Sequence, residues 1–454
     1  MVYLAKKKKK GNVYLYLEHR VKIDGKSKPL FSIYLGPEKK FIQQGKLFNL
    51  DLDFNLQLKT FDFGLPVALL QIAEKLRLRE IIDETTNKRD QGLSVGQYLL
   101  IATLNRCVQP RSKSQLKDWF QSTYLQKLIP NHQHYLDANA YYYHFPYLTD
   151  EAIEEIEIKL LQVMRKEFQL EMNQILYDPT NFSTFIEPDD QTLPRHGKAK
   201  DGRNTLNLIG LSMFCTREDG IPLLHRTYPG NLHDAELFKT ELPRFIQLLK
   251  SQSIENATIT LTFDKGVISK ELFEHIEGTD IKWVCTTRPS SHKDLQHLVP
   301  ADFQFGLLPN KKLVGIYQTK RTIHGTERRL IVIFNPLQQH WNVENFRRKL
   351  SKRITYLQKF FAEKLNVKKW RDPKKVNQKI ENYIGKKYLT FVNYQVEGEY
   401  ADLTLEIIQN EKAAKRFEAT LGKAFLISNI DNRTPAIEVI WSYRQQFTIE
   451  RAFS

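Results

Sequence analysis

The sequence predicts an α/β chain, in which a strand–helix core follows a β-hairpin region and an all-helical region and is interrupted by a strand-bearing basic stretch. Three observations carry this expectation. From Gln174 onward, short apolar runs alternate with amphipathic helical segments, whereas residues 61–168 show helical spacing alone. Residues 11–60 instead alternate apolar and polar positions between turn formers. The charge is also concentrated: of a formal net +16, the stretch Trp341 to Thr390 carries 15 Lys/Arg against 4 Asp/Glu.

Taken in order, Val13 to Leu17 and Leu30 to Leu35 read as a hairpin with a turn at Asp24-Gly25, ending at Gly36-Pro37. The run Lys6 to Lys10 before it reads as a solubilising tail or a phosphate contact. Ala68, Leu69, Ile72 and Leu76 keep helical spacing, and further helices are expected from Ser94, from Ser112 past Trp119, and from Thr149. Ile175 to Tyr177 is a short buried strand. Leu206 to Cys215 and Pro222 to Tyr228 follow as strands, Asp234 to Lys250 as a helix and Ala257 to Phe263 as a strand. A helix from Ser269 and a strand at Ile281 to Cys285 complete the first part. Leu313 to Ile323 pairs with Arg328 to Phe334, strands recur at Tyr388 to Tyr394, Ala401 to Ile408 and Phe425 to Ser428, and Thr434-Pro435 opens a last helix. The expected divisions are 1–60, 61–168, 169–287, 288–425 and 426–454.

A strongly basic chain suits a polyanionic partner, nucleic acid or an anionic membrane surface. Three widely separated cysteines, Cys107, Cys215 and Cys285, suit neither a disulfide framework nor a zinc ribbon and fit a reducing cytoplasm. No apolar run reaches the roughly 18 to 20 residues of a membrane helix, so a soluble intracellular protein is expected. His196, Lys198 and His233 lack zinc-ligand spacing.

Two aspartates, Asp178 and Asp264, directly follow buried strands, where rigid backbone meets an exposed loop and sites commonly form. An aspartate there also serves as a turn starter or helix cap. On the last helix, Tyr443, Gln446 and Glu450 are spaced i, i+3, i+7 and share a face, while Ile437, Ile440 and Trp441 form an apolar stripe that would dock the helix on a sheet.

Together these segments resemble the DDE transposases of bacterial insertion sequences, the "insertion sequence four" superfamily. The resemblance runs through Tyr177-Asp178-Pro179-Thr180, Pro229-Gly230-Asn231 with Asp234, Phe263-Asp264-Lys265-Gly266, and Tyr443 with Ile449-Glu450-Arg451-Ala452-Phe453. Asn105-Arg106, Pro110 to Lys113 and Trp119 are similar to a long-chain subgroup. The family's third motif has a basic residue where Gln446 stands, and a lysine at a position beyond Ser454, so the resemblance implies a chain clipped at its C-terminus.

The resemblance implies an RNase H-like catalytic core, interrupted at 288–425 by a β-rich basic insertion. It implies Asp178, Asp264 and Glu450 as catalytic and metal-binding carboxylates for two Mg²⁺ or Mn²⁺ ions. Hard carboxylate oxygens suit such ions, and a metal pair stabilises both oxygens of an in-line phosphodiester displacement. The implied partners are double-stranded DNA, as terminal inverted repeats and target, and a second copy of the chain in a synaptic homodimer. The implied location is the bacterial cytoplasm and nucleoid, with no membrane. Tyr443 and the insertion cations Arg347, Arg348, Lys352 and Arg353 are expected on phosphates. Arg106, Arg111 and Lys113 are expected at the transposon end, although solvated helix faces and a core Trp119 explain that cluster equally. Trp283, Trp341 and Trp370 are expected in cores rather than stacked on a base. A nuclease without strand transfer, or an inactive or regulatory DNA-binding remnant, would carry the same residues.

Overall fold

The computed structural model describes residues 2–23, 26–40, 59–89, 91–129, 136–189, 192–200, 202–203 and 205–453. The turn expected at Asp24-Gly25 lies outside them. Two compact units divide the chain, Met1–Thr149 and Asp150–Ser454.

In the first unit, β1 (Val2–Lys9), β2 (Asn12–Ile23) and β3 (Lys26–Pro37) form one antiparallel sheet. The expected lysine tail is corrected: Lys6 to Lys9 are ladder residues, with Lys9 opposite Asn12 across a two-residue turn. Lys10 and Gly11 both have positive φ (48° and 78°), the geometry that suits a tight hairpin to strand twist. The lysines are exposed along the strand, and Lys7 pairs with the buried Glu18. The helices Gly64–Lys75, Leu78–Thr85, Val95–Val108, Leu116–Ser122 and Ala138–His144 follow. Ser94 starts its helix as expected, through a reciprocal capping box with Gln97. Leu70, Ile101, Leu104, Trp119 and Phe120 share the core, so Trp119 is a packing residue.

The second unit begins with the helix Asp150–Phe168, which helical spacing alone would group with residues 61–168. Leu161 enters the second unit's core, Glu154 accepts from Arg244 Nε at 2.8 Å, and Arg165 donates to Gln252 O at 2.6 Å. The apolar stripe of this helix is satisfied by the sheet unit, so the boundary moves to residue 149.

The strands of that sheet are β4 (Gln174–Thr184), β5 (Arg195–His196), β6 (Asn207–Thr216), β7 (Pro222–Pro229), β8 (Thr260–Phe263), β9 (Lys282–Thr286), β10 (Gln304–Leu307), β11 (Leu313–Ile323), β12 (Thr326–Phe334) and β15 (Lys423–Ser428). Their order is β10-β11-β12-β15-β9-β8-β4-β6-β5, with β7 on β6. The central strands β4, β8 and β9 run parallel, while β6 is antiparallel to β4. Ile175, Tyr177, Leu261, Phe263 and Trp283 point to one face, where Phe238, Leu242 and Phe245 of the helix Asp234–Ser251 cover them. Val284, Ile331 and Leu426 point to the other, under Val439 and Ile440 of the helix Ala436–Arg444. Alternation along each strand thus leaves even-numbered positions of β4 and β8 for a different neighbourhood.

The expected β-rich insertion at 288–425 is corrected. Strands β10, β11 and β12 belong to the main sheet, and what lies between β12 and β15 is mainly helical. It comprises a 29-residue helix Pro336–Lys364, the helix Pro373–Ile384, one hairpin of β13 (Val392–Glu399) and β14 (Asp402–Gln409), and the helix Glu411–Thr420. Phe346, Leu350, Leu357 and Phe361 of the long helix pack with Ile380, Leu403 and Ile407 in a core of their own. Among the described residues, no helix is long and apolar enough to cross a membrane.

Candidate active site

Asp264 directly follows its strand, β8, as the sequence indicates, whereas Asp178, expected just past a strand ending at Tyr177, lies inside β4, which continues to Thr184. Asp178 sits opposite Met213 of β6. Because Ile175 and Tyr177 are committed to the apolar core, Gln174, Leu176 and Asp178 face the other way. That face receives the end of the chain. Ser442 donates to Gln174 Oε1 at 3.2 Å, and Ile449, fully buried, packs on Leu176, Met213 and Cys215. Glu450 is thereby carried into the surroundings of Asp178 while remaining exposed.

The single last helix expected from the sequence is broken. Ala436–Arg444 ends in a turn at Gln445-Gln446, and Phe447–Ala452 begins afresh. Tyr443 and Glu450 therefore do not share one continuous helix face. They meet around Asp264 by tertiary packing: Tyr443 feels the charges of both Asp264 and Glu450. Burial chiefly pushes the Tyr443 phenol up to about 12, those charges add to it, and the Thr286 hydroxyl works against it. Tyr443 is thus a neutral hydrogen-bond donor at physiological pH.

The electrostatics show which groups are neighbours. The Asp178 carboxyl is pushed up to about 6, first by burial, with Lys200 opposing, and then by Asp234, Asp264 and Glu450. Asp234 is raised as well, by burial and by Asp264, against Lys200 and His233. Asp178 also reaches Cys215, whose thiol burial lifts to about 12. Three residues outside the set of site residues expected from the sequence therefore belong to it: Asp234, Lys200 and Thr286. Asp234 opens its helix, where an acid reads as a favourable first-turn charge, so no local pattern gives it a place among the acids. A glycine at 266 leaves room for it, since a Cβ there would lie 3.1 Å from Asp234 Oδ2. The Lys200 ammonium donates to Pro179 O, and its backbone N–H donates to Asn181 Oδ1 at 3.0 Å. Thr286 Oγ1, at the end of β9, donates to Asp264 Oδ1 at 2.5 Å and fixes that carboxylate.

Asp178, Asp264 and Glu450 offer hard oxygens, the donor chemistry of Mg²⁺ or Mn²⁺. Among the described residues, however, no three His, Cys, Asp or Glu side chains stand close enough together to hold a metal ion. The carboxylates act on one another electrostatically without converging into a closed coordination shell.

The expected DNA contacts divide. In the first unit, Arg106, Arg111 and Lys113 are all exposed and line one cleft of about 290 Å³ with Tyr98 and Tyr141. Lys113 Nζ lies 3.1 Å from the Tyr141 ring centroid, and Asn105 Oδ1 accepts from the Arg111 backbone N–H at 3.1 Å. In the helical lobe, Arg348 and Lys352 are exposed. Arg347 and Arg353 already have partners within the lobe. Arg347 makes a bidentate pair with Glu418 at 2.7 and 2.8 Å, and Arg353 lies 4.4 Å over the Tyr388 ring and donates to Ile384 O. Trp283 is buried as expected, but Trp341 is 70% exposed.

No family model matches the chain, and no curated protein matches it. Eight chains of known structure do. The chain is similar to the piggyBac transposase in a synaptic complex with hairpin DNA, at 12% identity over 58% of this chain and 59% of that one, with a TM-score of 0.28. It is similar to the Mos1 transposase in a paired-end complex with the left transposon end, at 10% identity over 46% of this chain and 63% of that one, with a TM-score of 0.19. The chain spans less than two thirds of the length of either.

Positioning of Glu450 depends on one side chain. Ile449→Ala removes the anchor that seats a six-residue helix, a loss of about 2–4 kcal/mol in local packing. It is expected to loosen residues 447–452, read as faster amide hydrogen exchange there, while the melting temperature falls by only a few degrees. Unchanged exchange would show that Ile449 does not seat Glu450.

Proposed function

We propose that this chain is a DDE transposase with an RNase H-like core. In this reading it cleaves DNA at the ends of a mobile element and joins the freed 3′-hydroxyl to target DNA. The observation that carries the reading is the field at Asp178, where two acids far away in the chain, Asp264 and Glu450, act on one half-buried carboxyl within a central strand. The motif resemblance and a mixed sheet whose adjacent central strands β4 and β8 carry Asp178 and lead into Asp264 support it.

Asp178, Asp264 and Glu450 would hold the divalent ions, which supply charge stabilisation to the attacking and leaving oxygens. The chain's own residues do the remainder. Thr286 holds the Asp264 carboxylate in one orientation. The Tyr443 phenol keeps its proton and can donate to a phosphate oxygen. Lys200 balances part of the negative charge of Asp178 and Asp234. In strand transfer, the 3′-oxygen forms a new P–O bond as the old one breaks, and the displaced strand leaves as a 3′-hydroxyl. A positive cleft at Arg106, Arg111 and Lys113 and the exposed Arg348 and Lys352 would bind double-stranded DNA through phosphates. Assembly of two copies on paired ends belongs to the same proposal.

The test is cleavage and strand transfer on DNA bearing the gene's flanking sequences. Asp264→Asn and Glu450→Gln are each expected to lower Mg²⁺-dependent cleavage by a factor of about a thousand or more, as loss of a principal charge-stabilising group does. DNA binding should persist and fall steeply with salt. Cleavage that survives both substitutions would overturn the assignment, and cleavage without joining of pre-cut ends would reduce it to a nuclease.

A further inference from the structure

The strand ends that present Asp264 and Thr286 continue directly into a second site. Lys265 follows Asp264, Thr287 and Arg288 follow Thr286, and these three line a cavity of about 550 Å³. Ile427, also in its lining, belongs to the same apolar core as Phe263 and Cys285. By strand alternation, the cavity therefore opens on the face opposite Asp264 and Thr286, around the same sheet edge.

Its lining is chemically one-sided. Among the described residues, Lys265, Arg288 and Arg321 face a single carboxylate, Asp294, which pairs with Arg321 Nη2. Arg321 Nε is buried in the lining and has no acceptor among the described residues. Such a donor carries a desolvation cost that an incoming acceptor removes. His292, 7% exposed, stacks on Phe425 and holds its Nε2 3.4 Å from Thr287 Oγ1, so the back wall is fixed. A group with several acceptor oxygens and negative charge matches this set; a base or an apolar group does not.

We propose that this cavity is a phosphate subsite taking an internal phosphodiester of the DNA strand that lies across the carboxylates. The inference rests on the transposase reading for the identity of the strand, but not for the anion chemistry. A strand seated at Asp264 that turns around the strand ends over the Lys265 and Arg288 rim would bring one backbone phosphate to Arg288 and Arg321. Fixing that phosphate would set which bond meets the carboxylates, a positioning role rather than a catalytic one.

The experiment measures binding of the full chain to a labelled DNA oligonucleotide carrying one of the gene's flanking ends, in EDTA, where no cleavage occurs. Neutral methylphosphonates replace one phosphate at a time. One position near the cleaved end is expected to weaken wild-type binding about tenfold, the scale of one charge-assisted contact. In Arg288→Ala, binding should already be about tenfold weaker, and that position should cost nothing further. Arg288→Lys should recover part of the loss. Arg288 is exposed, so its replacement leaves the fold intact. Methylphosphonate effects that are uniform along the strand and identical in the variant would overturn the subsite. Thymidine monophosphate or inorganic phosphate binding as tightly as the oligomer would instead make it a free-anion site, against the strand proposal. Position-specific binding that persists in a chain without cleavage activity would support the subsite and count against the transposase reading alone.

Discussion

Replacing Asp178 with Asn is expected to abolish DNA cleavage and, at the same time, to make the metal-free protein more stable at pH 8. The two effects have one cause. Burial and the negative charges of Asp234, Asp264 and Glu450 lift the Asp178 carboxyl from an ordinary 3.8 to about 6. In the unfolded chain it titrates near its ordinary value. Between these two values the folded protein keeps a proton that the unfolded chain has lost, so the site contributes most to stability below about pH 4 and the contribution disappears as pH rises through 6. The full shift corresponds to roughly 3 kcal/mol, with one pKa step worth about 1.4; partial exposure and relaxation of neighbours reduce this to about 1–2. Asn keeps the shape and removes the charge. Its advantage should be largest above pH 6 and vanish near pH 4, read as the difference between the two melting curves across that range. Adding Mg²⁺ at pH 8 should stabilise the wild type more than the variant, because a ligand that binds only the folded state adds to stability by mass action. A variant less stable than wild type at pH 8, with a gap that does not change toward pH 4, would show that Asp178 is not held against neighbouring carboxylates.

How much of the fold and the site is legible in the sequence depends on the distance over which each signal acts. Asp178 and Asp264 are readable because Ile175-Leu176-Tyr177 and Leu261-Thr262-Phe263 are short buried runs that stop at an acid. Glu450 is readable only as one member of a spaced set, and the spacing is right for a wrong reason. The helix breaks at Gln445-Gln446, residues with good intrinsic helix propensity, and packing of Ile449 on Leu176 and Met213 decides the break. The lobe at 336–420 does carry its signal: Phe346, Leu350, Leu357 and Phe361 follow helical spacing, but the density of lysine and arginine points more loudly to a phosphate clamp. Arg347 illustrates the limit. Its partner Glu418 lies 71 residues away, and no local pattern separates a paired arginine from a free one. Lys200 escapes sequence reasoning for the same cause, and Asp234 is named only as part of a resembling motif, without a place beside Asp178: each enters the site only when β4, β6 and β8 are laid side by side.

Gly230→Ala is expected to have the largest effect on the fold for the smallest chemical change. Pro229-Gly230-Asn231 is legible in the sequence only as one of the resembling motifs, and the structure gives its glycine a packing reason. An added Cβ would overlap Leu208 O and its carbonyl carbon, which are backbone atoms that cannot rotate aside. On the other side, a Cβ at Gly197 would lie 2.8 Å from Gly230 O. Three backbone segments therefore meet without intervening side chains: β6 at Leu208, the loop that leads to Lys200, and the turn that leads to Asp234. Separating them by one methyl group must displace at least one of these two residues, which act on Asp178 with opposite charge. A cost of about 3 kcal/mol or more is expected, the range of core overpacking against rigid neighbours, seen as a drop in melting temperature of several degrees together with loss of cleavage. Asn231→Ala, at the exposed neighbouring position, should leave both nearly unchanged. If Gly230→Ala melts like wild type and only DNA binding suffers, the glycine serves the ligand rather than the packing of these three segments.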